Sequence, residues 1–179
     1  GYPKRATKYL NNVVDEGRTI RKSYKIGIPE LEATINSLIK EADEKNIEVI
    51  VDSKDISGDL PIDIYDLIKI ITNLIKNAMY ALSNTEDNNK VLTIKVDYEL
   101  GNYIFEVANN KPIIPENIRG KIFDKGFTTK GNKGDGLGLL IIKRLVEKYN
   151  GYLELVVDDE GNHFIVTIPD INDDNNRIK

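Results

Sequence analysis

The stretch Lys125–Gly151, KGFTTKGNKGDGLGLLIIKRLVEKYNG, most constrains what this chain can fold into. It runs from a polar, glycine-studded loop into an apolar helix without a break. From Leu139 onward, Leu139, Leu140, Ile142, Leu145, Val146 and Tyr149 recur at helical spacing. Asn150-Gly151 reads as the left-handed stop of that helix. At its front, Gly134, Gly136 and Gly138 alternate where a first turn leaves backbone N–H groups without helical partners. Glycine there lets an anion approach the bare backbone, and the helix dipole favours negative charge at that end. The pattern predicts a phosphate cradle; the competing reading is an ordinary glycine-rich loop capping a core helix. Two familiar motifs are excluded. No G-x-x-x-x-G-K-[ST] run exists, and G-x-G-x-x-G fails from Gly134 or Gly136 because its last place falls on Leu139 or Ile141.

Length and charge narrow the field further. A chain of 179 residues can bury one core with a small appendage. Its net charge of −4, with acids and bases interspersed, predicts no nucleic-acid partner. The lack of cysteine excludes disulfides and thiolate metal sites and fits a reducing compartment. No apolar run reaches the roughly 18 residues of a membrane span. The charged, helix-like opening GYPKRATKYL is expected to belong to a longer protein.

Taken in order, residues 4–23 read as a helix with a broken apolar stripe, and Gly27-Ile28-Pro29 marks a break. Pro29–Lys45 reads as a second helix, with Leu31, Ile35, Leu38, Ile39 and Ala42 on one face. Ile47–Val51 is a strand. The strongest helix follows at Ile64–Leu82, with Leu67, Ile68, Ile71, Leu74, Ile75, Ala78 and Leu82 in register. Strands are expected at Val91–Tyr98 and Tyr103–Ala108, then a long loop from Asn109 to Gly134. After the glycine-led helix, Tyr152–Val157 and Phe164–Ile168 form a hairpin. A loop of that length in a compact domain is expected to be functional and mobile, so residues 111–133 should order only partly without a ligand.

Asn73 and Asn77 lie four apart on the strongest helix, beside its apolar stripe. A buried, unpaired amide costs roughly 1–3 kcal/mol, so each needs a partner. One reading turns them to solvent or to neighbouring backbone. The other gives the Asn77 amide oxygen to a hard cation such as Mg²⁺, which takes few protein ligands and completes its shell with water and phosphate.

NLIKNA, the strand end VANN, IPENIRGKIFDKGFTTK and GDGLGL, in that order, resemble the ATP-binding domain of sensor histidine kinases, within the wider GHKL group. The segment IPELEATINSLIKEADEKNIEV and the F-T-T-K-G…G-L-G-L spacing are most similar to peptide-pheromone receptor kinases of Gram-positive quorum sensing. The resemblance covers roughly residues 28–169. It implies an α/β (α+β) two-layer sandwich of the Bergerat type: a mixed five-stranded sheet with helices on one face, plus N-terminal helices. It further implies a dimerisation stalk at 1–45, an ATP-binding catalytic domain at 46–170 and a disordered tail at 171–179. Asn77 would be the magnesium ligand and Asn109 the adenine-reading position. Gly134, Gly136 and Gly138 would bind phosphate beneath a lid at 110–133. Nucleotide contacts are implied at Asn73, Asn77, Asn109, Ile114, Lys125, Thr128, Thr129, Lys130, Gly134, Gly136, Leu137, Gly138 and Leu139, with Lys133 a further phosphate candidate. Catalytic roles fall to Asn73 and Asn77.

Asn73 stands where hydrolytic members of the group carry a glutamate base, and an amide cannot accept a proton from water. The resemblance therefore favours a kinase over an ATP-driven clamp. The expected function is transfer of the γ-phosphoryl of MgATP to a histidine on an acceptor helix of the parent protein or a dimer partner. From there it passes to a response regulator, on the cytoplasmic side of a membrane-bound receptor. His163, in the strand sequence GNHFIVTI, reads as structural. The adenine box departs from the usual D-x-G-x-G, reading Asn109-Asn110-Lys111-Pro112-Ile113. That departure predicts weakened nucleotide binding and motivates the alternative, a docking module that keeps the fold without ATP.

Overall fold

The computed structural model describes residues 24–128 and 136–171. The expected helix at 4–23 and the tail beyond 171 lie outside the described residues. Strands β1 (Glu48–Ser53), β2 (Val91–Glu99), β3 (Asn102–Asn109), β4 (Tyr152–Val157) and β5 (Asn162–Pro169) form one sheet in the order β1-β2-β3-β5-β4. β1 runs parallel to β2, and the other three pairings are antiparallel. A parallel pair needs a crossover. Helix α2 (Ile64–Ser83) supplies it.

The register explains the two faces. Val96, Phe105 and Val166 are mutual partners across β2, β3 and β5, so they point the same way, and all three are buried. Thr93, Lys95, Glu106, His163 and Ile165 alternate with that set and form the outer face, half-buried. Helices α1 (Pro29–Asp43), α2 and α4 (Gly138–Lys148) all feed the same core as the inner sheet face. Between Asn109 and the glycines, inside the expected loop, lies a one-turn helix, α3 (Glu116–Arg119).

Helix α2 is the hub, packing against α1, α4, β2 and β3. Leu67, Ile71, Leu74, Ile75, Ala78 and Leu82 recur at three- and four-residue steps and are buried. Its start is well made: the Asp63 side chain accepts from the N–H groups of Tyr65 at 2.9 Å and Asp66 at 3.2 Å.

The structure adds detail to three sequence expectations. Of the segment grouped as a stalk, Pro29–Asp43 buries Leu31, Ile35, Leu38 and Ala42 in the common core, because α2 and β1 offer its stripe a surface to cover. Of the loop expected to order only partly, residues 111–128 are tied down. Ile122 is buried, and Phe123 and Phe127 pack on the core, the apolar anchoring their sequence suggests. The left-handed stop expected at Asn150-Gly151 is present, with Asn150 taking the turn (φ 55°). The N–H of Asn150 donates to Glu147 O (3.0 Å) and that of Gly151 to Val146 O (3.0 Å), the paired bonds of a Schellman end. Gly151 is there for closeness instead, since a Cβ would come within 2.4 Å of Thr167 O.

On the outer face, His163 Nδ1 lies 2.7 Å from Glu106 and Nε2 lies 3.2 Å from Asp158. The Glu106 hydrogen bond raises the pKa of this imidazole above its ordinary 6.5. A raised folded pKa contributes stability that is full below the unfolded value and lost as pH rises through the folded one. Urea denaturation should therefore find His163→Gln more destabilising at about pH 5.5 than at about pH 9. An equal deficit at both pH values contradicts the pairing.

Candidate functional site

The candidate site is made by two helices far apart in sequence. Near the start of α2, Asp66 Oδ2 accepts from Lys148 Nζ at 2.7 Å and from the Tyr149 hydroxyl at 2.6 Å, both at the end of α4. The Lys148 bond, with the hydroxyl behind it, holds the Asp66 carboxyl below the usual carboxylate range. Asp66 to Asn77 is eleven residues, and so is Gly138 to Tyr149. Antiparallel helices rise alike, about 1.5 Å per residue, so a pin at one end sets Asn77 against the start of α4. A Cβ placed on Gly138 would lie 3.8 Å from Asn77 Nδ2. The glycine-led helix end and the amide at Asn77 therefore share one place.

That end differs from the other long helix starts. α1 carries Glu30 and Glu32 in its first turn, and α2 carries Asp66 besides its Asp63 cap. α4 has no acidic residue in its first turn, and its N-cap, Leu137, has no capping side-chain bond. Its positive dipole end is left to something else. Gly136, just ahead, takes φ 65° and stacks on Gly126, whose N–H donates to Gly136 O at 3.3 Å. A Cβ on Gly136 would stand 2.5 Å from the Gly126 carbonyl carbon, so only glycine allows the loop ends to close.

At the sheet's edge of the loop, Asn109 ends β3 and is 4% exposed. Its Nδ2 donates to Lys111 O at 2.8 Å. Asn110 Oδ1 accepts from Val91 N at 3.0 Å and its Nδ2 donates to Asn89 O at 2.9 Å, while Lys111 pairs with Asp87. Ile114 donates its N–H to Asn162 Oδ1 at 2.7 Å, and its carbonyl accepts from Arg119 Nε. Asn73 bonds its own helix, Nδ2 to Lys69 O at 2.7 Å, which is the backbone partner the sequence offered as its bland alternative. Lys125 is exposed, Thr128 half-buried, and Leu139 packs on the core, leaving its backbone as the part that can face a ligand. Thr129, Lys130, Lys133 and Gly134 lie outside the described residues.

Asn162, Asp66 and Tyr149 escaped the sequence reading. Asn162 lies between the two strands expected of the closing hairpin, yet an asparagine beginning a strand opposite another is a signal for a polar clamp. As for a metal, the described residues hold no group of three or more His, Cys, Asp or Glu able to cage one. A single hard amide oxygen beside a helix start suits a cation that keeps its waters and takes phosphate oxygens, which is the habit of Mg²⁺.

Comparison with known proteins gives concordant findings. A family model described as "Histidine kinase-, DNA gyrase B-, and HSP90-like ATPase" matches residues 62–172. A probable C4-dicarboxylate sensor kinase of Halalkalibacterium halodurans is 29% identical over 171 residues, covering 93% of this chain and 32% of that protein. The catalytic domain of histidine kinase ThkA, solved nucleotide-free, superposes with a TM-score of 0.69 at 25% identity, over 82% of this chain and 97% of the other. Full-length ShkA, solved with AMPPNP, superposes with a TM-score of 0.64 at 25% identity, over 86% of this chain and 32% of the other. The chain spans about a third of the length of the curated relative it matches.

The pin between α2 and α4 can be tested directly. Asp66→Ala should lower the unfolding free energy by about 1–2 kcal/mol, since it strands the Tyr149 hydroxyl and frees an exposed lysine. Tyr149→Phe should cost less. Urea denaturation measures both, and no loss in Asp66→Ala refutes the pin.

Proposed function

The chain belongs to the family of histidine kinase-, DNA gyrase B- and HSP90-like ATPases, and from that membership we propose that it is the ATP-binding catalytic part of a two-component sensor histidine kinase. Its relatives in sequence and its neighbours in structure are sensor kinases and histidine kinase catalytic domains. The observation that carries the proposal is the placing of Asn77 beside Gly138, at a helix start whose first turn holds no acidic residue.

In this reading the triphosphate lies on the N–H groups of Gly138 and Leu139, with Gly134, Gly136 and Leu137 completing the cradle. Asn77 would hold Mg²⁺ by its amide oxygen, and the bound metal would supply the charge that offsets the phosphates. Asn109 accepts from the adenine amino group, and Ile114 lines the base. Asn73 has its Nδ2 turned to Lys69 O and is no base for water. That favours transfer of the γ-phosphoryl over hydrolysis, by positioning and charge rather than covalent chemistry. Lys125, Thr128, Thr129 and Lys130 would close on the phosphates from the lid.

His163 is no acceptor, because it sits in β5 between two carboxylates. The phosphoryl goes to a histidine on a helix of the parent protein or its dimer partner, and then to a response regulator. We assign dimerisation to residues 1–45. No described helix is long and apolar enough to cross a membrane, and we place the chain on the cytoplasmic side of a membrane-bound receptor, where ATP is found. The narrower likeness to peptide-pheromone receptors rests on the segment Ile28–Val49 and the F-T-T-K-G…G-L-G-L spacing, whereas the relatives matched include ones named for C4-dicarboxylates. A quorum-sensing signal is therefore not carried forward.

Isothermal titration of the chain with a non-hydrolysable ATP analogue and Mg²⁺ tests the proposal. Binding is expected, and Asn77→Ala should weaken it at least about tenfold, close to 1.4 kcal/mol, as should removing Mg²⁺ with a chelator. Heat absent at millimolar ligand refutes ATP binding by this chain.

A further inference from the structure

Asn162 is 1% exposed and opens β5 directly opposite Asn109 in the β3–β5 register. Both ends of its amide are spent on one loop. Oδ1 accepts from Ile114 N at 2.7 Å, and Nδ2 donates to Pro112 O at 2.8 Å. That loop leaves Asn109 and returns a bond to it, for Asn109 Nδ2 donates to Lys111 O at 2.8 Å. The Lys111 side chain is itself tied to Asp87, so the carbonyl is fixed from two sides.

A carbonyl only accepts, so the Asn109 amide must turn its NH₂ toward Lys111 and its oxygen the other way. Among the described residues, none donates to Asn109 Oδ1. Yet among the described residues no buried side-chain oxygen or nitrogen lacks a partner, so this atom reaches an opening. A carboxylate at this position would present an acceptor whichever way it turned. An amide can present either an acceptor or a donor, and something must choose.

We propose that Asn162 is a positioning residue that makes this choice. Through the Pro112–Ile114 loop it holds the Lys111 carbonyl, which locks Asn109 as an acceptor, so the pocket takes purines with a 6-amino group over those with a 6-oxo group. The proposal rests on the nucleotide-binding reading above and adds to it the residue that sets base polarity. Without the lock, the Asn109 amide turns over and offers its NH₂ to a 6-oxo purine equally well.

The test compares ADP with IDP, which differ at the purine 6-position, by titration calorimetry on the full chain with Mg²⁺. The unaltered chain should prefer ADP by at least about tenfold, and Asn162→Ala should shrink that preference to about twofold. Adding Asn109→Asp to Asn162→Ala should restore the preference, because a carboxylate needs no lock; a residue that served only folding would give no such rescue. Asn162→Ala must first show a cooperative melt. If it does not fold, Asn162→Asp, which keeps an acceptor for Ile114 N and loses only the donor to Pro112 O, carries the same comparison. Equal weakening of both nucleotides, with the ratio unchanged, overturns the role of Asn162 and leaves nucleotide binding standing. An unaltered chain that binds neither nucleotide overturns both.

Discussion

The functional part of this molecule depends on the antiparallel seating of α4 on α2. Asn77 and Gly138 are some sixty residues apart in sequence, and neither has a local reason to find the other. Apolar burial supplies the strength of that seating. Ile142 and Val146 from α4 and the stripe of α2 enter one core, each full-sized side chain giving roughly 1.5–3 kcal/mol. Apolar packing is weakly directional, however, and a slip of one residue would turn α4 by about 100° and shift it by about 1.5 Å. The two bonds on Asp66 Oδ2 at the far end forbid such a slip. Strength and register thus come from different chemistry.

The same helix shows what was given up for the site. A helix end with neither a capping side chain nor an acidic residue in its first turn forgoes about 1 kcal/mol that an ordinary N-cap provides. α2, in the same chain, has both, and α1, though without a capping side chain, carries two acidic residues in its first turn. An acidic residue there would repel the charge this end is suited to receive. In a chain with a net charge of −4, the first turn of α4 holds no acidic residue.

Much of this was legible in the residues. The stripes of α1, α2 and α4 repeat at helical steps, the strands alternate, and the glycines announce a bare helix start. What could not be read were contacts across long separations: Asp66 with Tyr149, 83 residues apart, and Asn162 with Pro112, 50 apart. Pattern along a chain reports which face is apolar, not which distant polar group completes it. The same limit applies to Pro29–Asp43, whose stripe does not say whether another helix or a domain covers it. The stop at Asn150-Gly151 was legible as a pair, but not its division of labour: Asn150 takes the left-handed turn and Gly151 the close approach to Thr167.

The asparagines around Asn109 show how one substitution moves a requirement elsewhere. An amide has lower charge than a carboxylate, so it makes the weaker acceptor, and it also has two faces of opposite polarity. Used as an acceptor, it must be oriented by a neighbour that can only accept, and a main-chain carbonyl is the cheapest such neighbour. That carbonyl belongs to a loop, and a loop carbonyl orients nothing unless the loop is held. Asn162 holds it with both ends of a buried amide, at no cost in unpaired polar groups. The asparagine-rich run that departs from the familiar adenine box is therefore a set of linked bonds. Its logic becomes visible only when β3 and β5 are laid side by side.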